Sequence, residues 1–269
     1  MSERVALCMR GSVSRKKYAV RYDKNNIPND YIDYHVVYNS IKKHIIDPNK
    51  ECMFDIFIHC WDTELEEPLV SLYRPVKYLF EDNNLYRDEI IEKLYHSKEY
   101  GQGSQLLTIK KVIELKEEYE KEHGFTYDRV IIYRHDLFLW KDMILQKYDK
   151  ENVYVNQWSN NSLGEFHFVM STPRANRFKL AFDRLDKRIQ PLVHRYILFF
   201  VDTQMNVDLI EDDIGAGRDQ EILRKIKLPI LYNKTLTVEK LKEYGFHEKD
   251  LKDYVDHPFG HIEYPDHAE

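Results

Sequence analysis

The hydrophobic positions of this chain fall into short unbroken runs, separated by longer stretches in which apolar residues recur at helical spacing. Val5-Ala6-Leu7-Cys8-Met9 is the first run, Ile56-Phe57-Ile58-His59-Cys60-Trp61 the second, and Arg129-Val130-Ile131-Ile132 the third. Apolar runs of this length without alternation suit strands covered on both faces, as in a parallel sheet. Strands are therefore predicted over 4–10, 53–61 and 127–134, with shorter ones over 76–80, 153–155 and 165–171. Between the first two, Ile32, Val36, Val37, Ile41 and Ile45 predict a helix over 31–46 that stops before Pro48. Further helices are predicted up to about residue 73, over 87–97 and over 173–186. The most regular helix covers 105–123. It takes Ser104 as N-cap, Leu106, Ile109, Val112, Ile113, Leu115 and Tyr119 as its core face, and Gly124 as its stop. Glu117 and Lys121 form an i,i+4 pair on its wet side.

Strands alternating with helices predict an α/β fold with a largely parallel sheet covered by helices. No repeat and no Gly/Ser/Pro linker divides the chain, so one domain is expected over 1–232, with a polar C-terminal extension over 233–269 packed on it. The second half is less regular. Residues 191–212 are apolar but fit helix or strand, a helix is expected over 219–227, and a strand over 228–232.

Composition narrows the function classes. The net charge is −6, and no basic block is long enough to follow a phosphate backbone, so nucleic acid is not the expected partner. Cys8, Cys52 and Cys60 are odd in number and lack metal-type spacing; Cys8 and Cys60 lie in strand runs, where buried reduced thiols are expected. No stretch resembles a signal peptide or is long enough to span a bilayer, so a soluble, cytoplasmic protein is expected.

Each of the three main strands ends in charged residues. Arg10-Gly11 follows the first, Asp62 the second, and Tyr133-Arg134-His135-Asp136 closes the third. In open α/β sheets ligands bind outside the carboxyl ends of the strands, so one shared site is expected there. Asp136 is a hard oxygen donor suited to Mg²⁺ or Mn²⁺, and Arg134 suits a phosphate; the same two residues could instead close the strand as an ion pair. Arg10 suits a nucleotide's phosphates, Gly11 lets a ligand approach the backbone, and Asp62 is either a ribose acceptor or a helix N-cap. Asp219, which opens a helix behind Gly215-Ala216-Gly217, is an acid/base candidate or a cap. His257 and His261 lie in a polar tail and offer a nitrogen donor to a metal.

Taken together, Val5–Gly11, Phe54-Asp55-Ile56-Phe57-Ile58-His59-Cys60-Trp61-Asp62 and Tyr127-Asp128-Arg129-Val130-Ile131-Ile132-Tyr133-Arg134-His135-Asp136-Leu137 resemble GT-A-type glycosyltransferases. The closest likeness is to those of bacterial surface-polysaccharide clusters and large DNA viruses, and it covers roughly residues 3–140. The resemblance implies a GT-A-like, Rossmann-like sheet that binds a nucleotide-diphosphate sugar, with UDP the expected nucleotide and Mn²⁺ or Mg²⁺ at an Asp-x-Asp motif. Here that motif reads Arg134-His135-Asp136, so only its last carboxylate is present. Asp219-Gln220 is similar to the Asp-Gln helix start of glycogenin-like transferases, and His257-Pro258-Phe259-Gly260 to their late metal-binding His-x-x-Gly.

Strand-end position and the resemblance together give Arg10, Gly11, Asp62, Arg134 and Gln220 as candidates for the nucleotide sugar, and Asp136 and His257 as candidates for the metal. An inverting transfer also needs a carboxylate base on the acceptor hydroxyl, for which Asp219, Asp213 and Asp212 are candidates. The expected activity is transfer of a hexosyl, pentosyl or deoxyhexosyl group to a glycan acceptor, in surface or capsid glycan synthesis. For a viral protein the location is the host cytoplasm. Two other readings stand beside it: a non-catalytic glycan- or nucleotide-binding module with a degenerate metal site, and a sugar nucleotidyltransferase. The second needs a Gly-rich phosphate loop, and Gly11-Ser12-Val13-Ser14 lacks the glycines.

Overall fold

The computed structural model describes residues 2–13, 34–94, 100–139, 142–159, 162–185, 207–210 and 214–216. The chain divides into two compact units. The first takes in Met1–Ser12, Asn49–His135 and Ile144–Glu211, and the second Val13–Pro48, Asp136–Met143 and Asp212–Glu269. The expected extension over 233–269, the helix over 219–227 and the strand over 228–232 lie outside the described residues.

The first unit is an α/β layer built on one sheet. Its strands are β1 (Arg4–Gly11), β2 (Met53–Cys60), β3 (Lys77–Phe80) and β4 (Arg129–Arg134). In the second unit β5 (Leu137–Leu139) follows β4 in sequence. The first unit continues with β6 (Val153–Ser159), β7 (Ser162–Ser171) and β8 (Val207–Ile210). The order across the sheet is β3-β2-β1-β4-β7-β6-β8. Neighbours β3, β2, β1 and β4 are all parallel, whereas β7 is antiparallel to both β4 and β6. The expected largely parallel sheet is present, with that one reversed strand. Its reversal follows from the chain: β6 and β7 pair Ser159 with Ser162, and so short a connection can only join antiparallel strands.

The unbroken apolar runs have the expected cause. Ala6, Cys8, Phe57, Val130, Ile132, Phe168 and Met170 face one side of the sheet, in a core shared with helical residues; Val5, Leu7, Met9, Ile131 and Tyr133 are equally buried on the other. Numbered after α1 of the second unit (Tyr34–Ile41), the helices of this unit are α2 (Glu66–Tyr73), α3 (Arg87–Lys93), α4 (Tyr100–His123), α5 (Thr172–Phe178) and α6 (Leu180–Asp183). The first core contains Leu106, Ile109, Val112 and Ile113 of α4, Phe178 of α5 and Phe182 of α6.

Several boundaries differ from expectation. The helix predicted over 105–123 begins at Tyr100, so Ser104 is not its N-cap; it lies inside the helix and its hydroxyl meets the Asn83 side chain at 3.1 Å. Gly101 and Gly103 are weak helix formers and mask the first turn in the sequence. Packing overrides them: a Cβ on Gly103 would lie 2.6 Å from Ile90 of α3, so glycine is what lets the two helices approach. Gly124, at φ +69°, ends α4 as predicted. Glu117 makes an ion pair with Lys179 between α5 and α6, where the sequence suggested Lys121. The helix predicted over 87–97 ends at Lys93, because Leu94 is extended.

The second unit contains α1, a π turn over Lys42–Ile46 and a short antiparallel ribbon of β5 with β9 (Ile214–Ala216). Val37, Ile41 and Ile45 are buried, in keeping with the predicted spacing. The Ser40 hydroxyl caps the ribbon by accepting the Leu139 N–H at 2.6 Å, and His44 meets Asp142 at 2.7 Å.

The amino ends of the parallel strands carry matched charges. Glu3 pairs with Arg129 at 2.7 Å and with Lys150 at 3.0 Å, and Asp128 accepts the Arg4 N–H at 2.9 Å. Beneath them Lys116, fully buried on α4, meets Glu120 at 2.8 Å, and Glu120 also accepts the Tyr127 N–H at 2.9 Å. No helix among the described residues is long and apolar enough to cross a membrane.

Candidate functional site

The order of the sheet locates the place where a ligand is expected. From β1 the chain moves outward to β2 and β3, and then returns through α4 to β4 on the other side of β1. The sheet therefore reverses its winding between β1 and β4. In open α/β sheets the crevice beyond the carboxyl ends of the strands at such a point is where ligands bind.

Arg10 ends β1 and Arg134 ends β4, and the two are register partners. Each lies an even number of residues from Ala6 or Val130, so both side chains leave the sheet on the face that carries α4. Both are buried, and the Arg10 guanidinium lies 6.0 Å from the ring centre of Phe168 on β7. Two planar cations side by side on one face suit a phosphate or carboxylate group, which each can meet with paired N–H donors.

On the other side of Arg10, its register partner on β2 is His59. His59 is completely buried, and its two ring nitrogens are engaged. Nδ1 lies 2.5 Å from the Thr108 hydroxyl of α4, and Nε2 lies 3.1 Å from Glu81, just after β3. Thr108 also accepts the Gly11 N–H at 3.0 Å. Glu81 receives the Tyr86 hydroxyl at 2.6 Å and meets Lys111 of α4 at 3.1 Å. Burial pushes the Glu81 carboxyl up, but hydrogen bonds from His59, Tyr86 and Lys111 outweigh it and hold the group at about 2. Burial lowers His59 from its ordinary value, against the opposing pull of Glu81, and keeps the ring neutral near pH 7. Trp61 packs edge-on against His59, with ring centres 4.3 Å apart.

The remaining expected site residues separate into three groups. Gly11 and Asp62 lie at the same carboxyl edge as Arg10 and Arg134, since Gly11 pairs with Cys60 and Asp62 follows two residues later. Asp62 is at the N-cap position of a short 3-10 turn, but its side chain makes no capping hydrogen bond, so the cap reading does not account for the carboxylate. Asp136 is buried at the start of the second unit, directly before β5. Asp212, Asp213, Asp219, Gln220, His257 and His261 lie outside the described residues.

A divalent ion needs several oxygen or nitrogen donors in one place. Among the described residues no group of three or more His, Cys, Asp or Glu side chains could hold one. Asp136 offers a single carboxylate, and Arg134 stands where a second would be. These donors alone do not fit a cation.

The linked set of His59, Thr108, Glu81, Tyr86 and Lys111 is not evident in the sequence. His59 and Thr108 are polar residues inside apolar patterns, which is the one local signal they give; their meeting depends on α4 crossing β2. His167 on β7 is similar, fully buried at the register position of Tyr133, with neither ring nitrogen hydrogen-bonded. Compared with known proteins, the chain matches no family model and has no significantly similar curated relative.

Proposed function

We propose that this chain is a GT-A-type glycosyltransferase that binds a nucleotide-diphosphate sugar at the carboxyl edge of its sheet and passes the sugar to a glycan acceptor. The observation that carries this reading is the register pairing of Arg10 with Arg134 across the two strands where the winding reverses. Glycosyl transfer leaves a diphosphate with growing negative charge, and fixed guanidiniums already in place stabilise it without reorganisation. Asp62 and Gly11, at the same edge, suit the ribose or base. An inverting transfer needs a carboxylate base on the acceptor hydroxyl, a role for Asp219 or Asp213. Were Mn²⁺ or Mg²⁺ to take part, Asp136 and His257 are the residues that the motif resemblance would assign to it, as a Lewis acid for the leaving group. Synthesis of a surface or capsid glycan in the cytoplasm, the host's for a viral protein, is the setting that the motif resemblance supports.

A non-catalytic nucleotide-binding module is the second reading, favoured by Arg134 standing in place of a carboxylate. One experiment addresses both. Nucleotide sugars with UDP, GDP, CDP and dTDP leaving groups are screened by thermal shift, with and without Mn²⁺, and each hit is then tested for sugar transfer. A ligand present at a hundred times its Kd stabilises the folded state by about 2.7 kcal/mol, a rise of several degrees in Tm. A hit with turnover supports the transferase. A hit without turnover on any glycan acceptor favours the module, and no shift with any nucleotide sugar removes both.

A further inference from the structure

The turn that carries Arg10 and Gly11 is held by a hydrogen-bond chain whose direction is set at every link. Ionised Glu81 can only accept, so His59 Nε2 bears the proton between them. A neutral imidazole then presents Nδ1 as an acceptor, and Nδ1 takes the Thr108 hydroxyl proton. The Thr108 oxygen is left to accept, and what it accepts is the Gly11 N–H. A single arrangement of protons satisfies all four groups. It runs from Gly11 N–H through Thr108 and His59 to Glu81, which Tyr86 and Lys111 hold in place.

The chain has a definite object. The carbonyl of Arg10 accepts the His135 N–H at 3.4 Å, and the carbonyl of Gly11 accepts the Trp61 N–H at 3.3 Å. With Gly11 N–H given to Thr108, the Arg10–Gly11 peptide is fixed at both its oxygen and its nitrogen. Gly11 sits at φ +91°, where a side chain is disfavoured and where the backbone of a glycine is otherwise free to move. Ends of three neighbouring strands are thereby tied to one helix at the edge where the ligand is expected.

We propose that Thr108, His59 and Glu81 are positioning residues that lock the Arg10–Gly11 peptide and so aim the Arg10 guanidinium at the diphosphate of the ligand. The proposal rests on the nucleotide-sugar reading above. A histidine that merely fills the core predicts that breaking the chain lowers stability alone; a positioning chain predicts a loss of anion affinity in protein that remains folded.

The test titrates the full chain with UDP, GDP, CDP and dTDP by calorimetry, and follows the tightest of them in Thr108→Val and Thr108→Ser. Nitrogen NMR of His59 is recorded on the same proteins. The expected result is the Nε2–H tautomer in the wild type, binding weakened about tenfold by Thr108→Val, and recovery to within about twofold by Thr108→Ser, which keeps the hydroxyl. If Thr108→Val does not fold, Glu81→Gln replaces it, with the same weakening expected. Unchanged affinity in a folded variant overturns the proposal while leaving the nucleotide-sugar reading intact, and so does the Nδ1–H tautomer. Failure of the wild type to bind any of the four nucleotides overturns that reading, and the proposal falls with it.

Discussion

The two ends of the same parallel strands are built on different electrostatic plans. At the amino ends opposite charges meet: Glu3 faces Arg129 and Lys150, Asp128 faces Lys150 and also accepts the Arg4 N–H, and Lys116 faces Glu120. At the carboxyl ends two arginines stand beside each other in register, and the adjacent histidine is kept neutral within a chain of hydrogen bonds. The amino edge is thus where paired charges contribute to stability, and the carboxyl edge is where binding is proposed.

That contrast is breakable by substitution, and the largest effect is expected at the amino edge. Lys116→Met leaves Glu120 buried without its cation. It should lower the free energy of unfolding by about 3–5 kcal/mol in urea melts, with nucleotide affinity of the folded protein unchanged. Loss of affinity without loss of stability would reverse the assignment of the two edges. Next in size, Arg134→Gln and Arg10→Gln should each weaken nucleoside diphosphate binding about a hundredfold in calorimetry, near 2.7 kcal/mol. If both variants bind like the wild type, the carboxyl edge is not an anion site.

The pH dependence of stability follows from two groups on the carboxyl side. Burial lowers His167 from 6.5 to about 3, so between these values the unfolded chain binds a proton that the folded chain refuses. Its contribution to stability is complete above pH 6.5 and declines as pH falls toward 3, by about 1.4 kcal/mol per pH unit. Glu81 acts in the same direction lower down: its carboxyl is held at about 2 against an ordinary 4.5, so its contribution is lost as pH falls from 4.5 through 2. Urea melts from pH 7 to 4 of the wild type and of His167→Phe should diverge on acidification, with the variant less sensitive; parallel curves would show that His167 takes up its proton without resistance. The smallest effect is expected for Lys150→Ala. Its ion pairs with Glu3 and Asp128 lie near the surface, and the expected change is about 0.5 kcal/mol, falling further in high salt.

How much of this is legible in the sequence depends on the range of the cause. The strands around Val5–Met9, Ile56–Cys60 and Val130–Ile132 are readable because burial on both faces writes an unbroken apolar run, and alternation with helices gives the α/β class. The carboxyl-edge location of Arg10, Gly11, Asp62 and Arg134 is readable for the same reason, since each follows a strand. Boundaries are less so. Tyr100–Gly103 reads as non-helical from its glycines, and becomes helix because α3 lies close enough to need them.

What the amino-acid sequence determined by itself is therefore local: element type, the face each apolar residue seeks, and which polar groups stand at the ends of strands. Tertiary structure alone decided that Arg10 and Arg134 are neighbours, because strand order across a sheet is not written in the order along the chain. It also decided that Gly11, His59, Glu81 and Thr108, which lie up to 97 residues apart, share one line of hydrogen bonds. Hydrogen bonds act over about 3 Å with strict direction, so partners distant in sequence become visible only once packing has brought α4 across the strands.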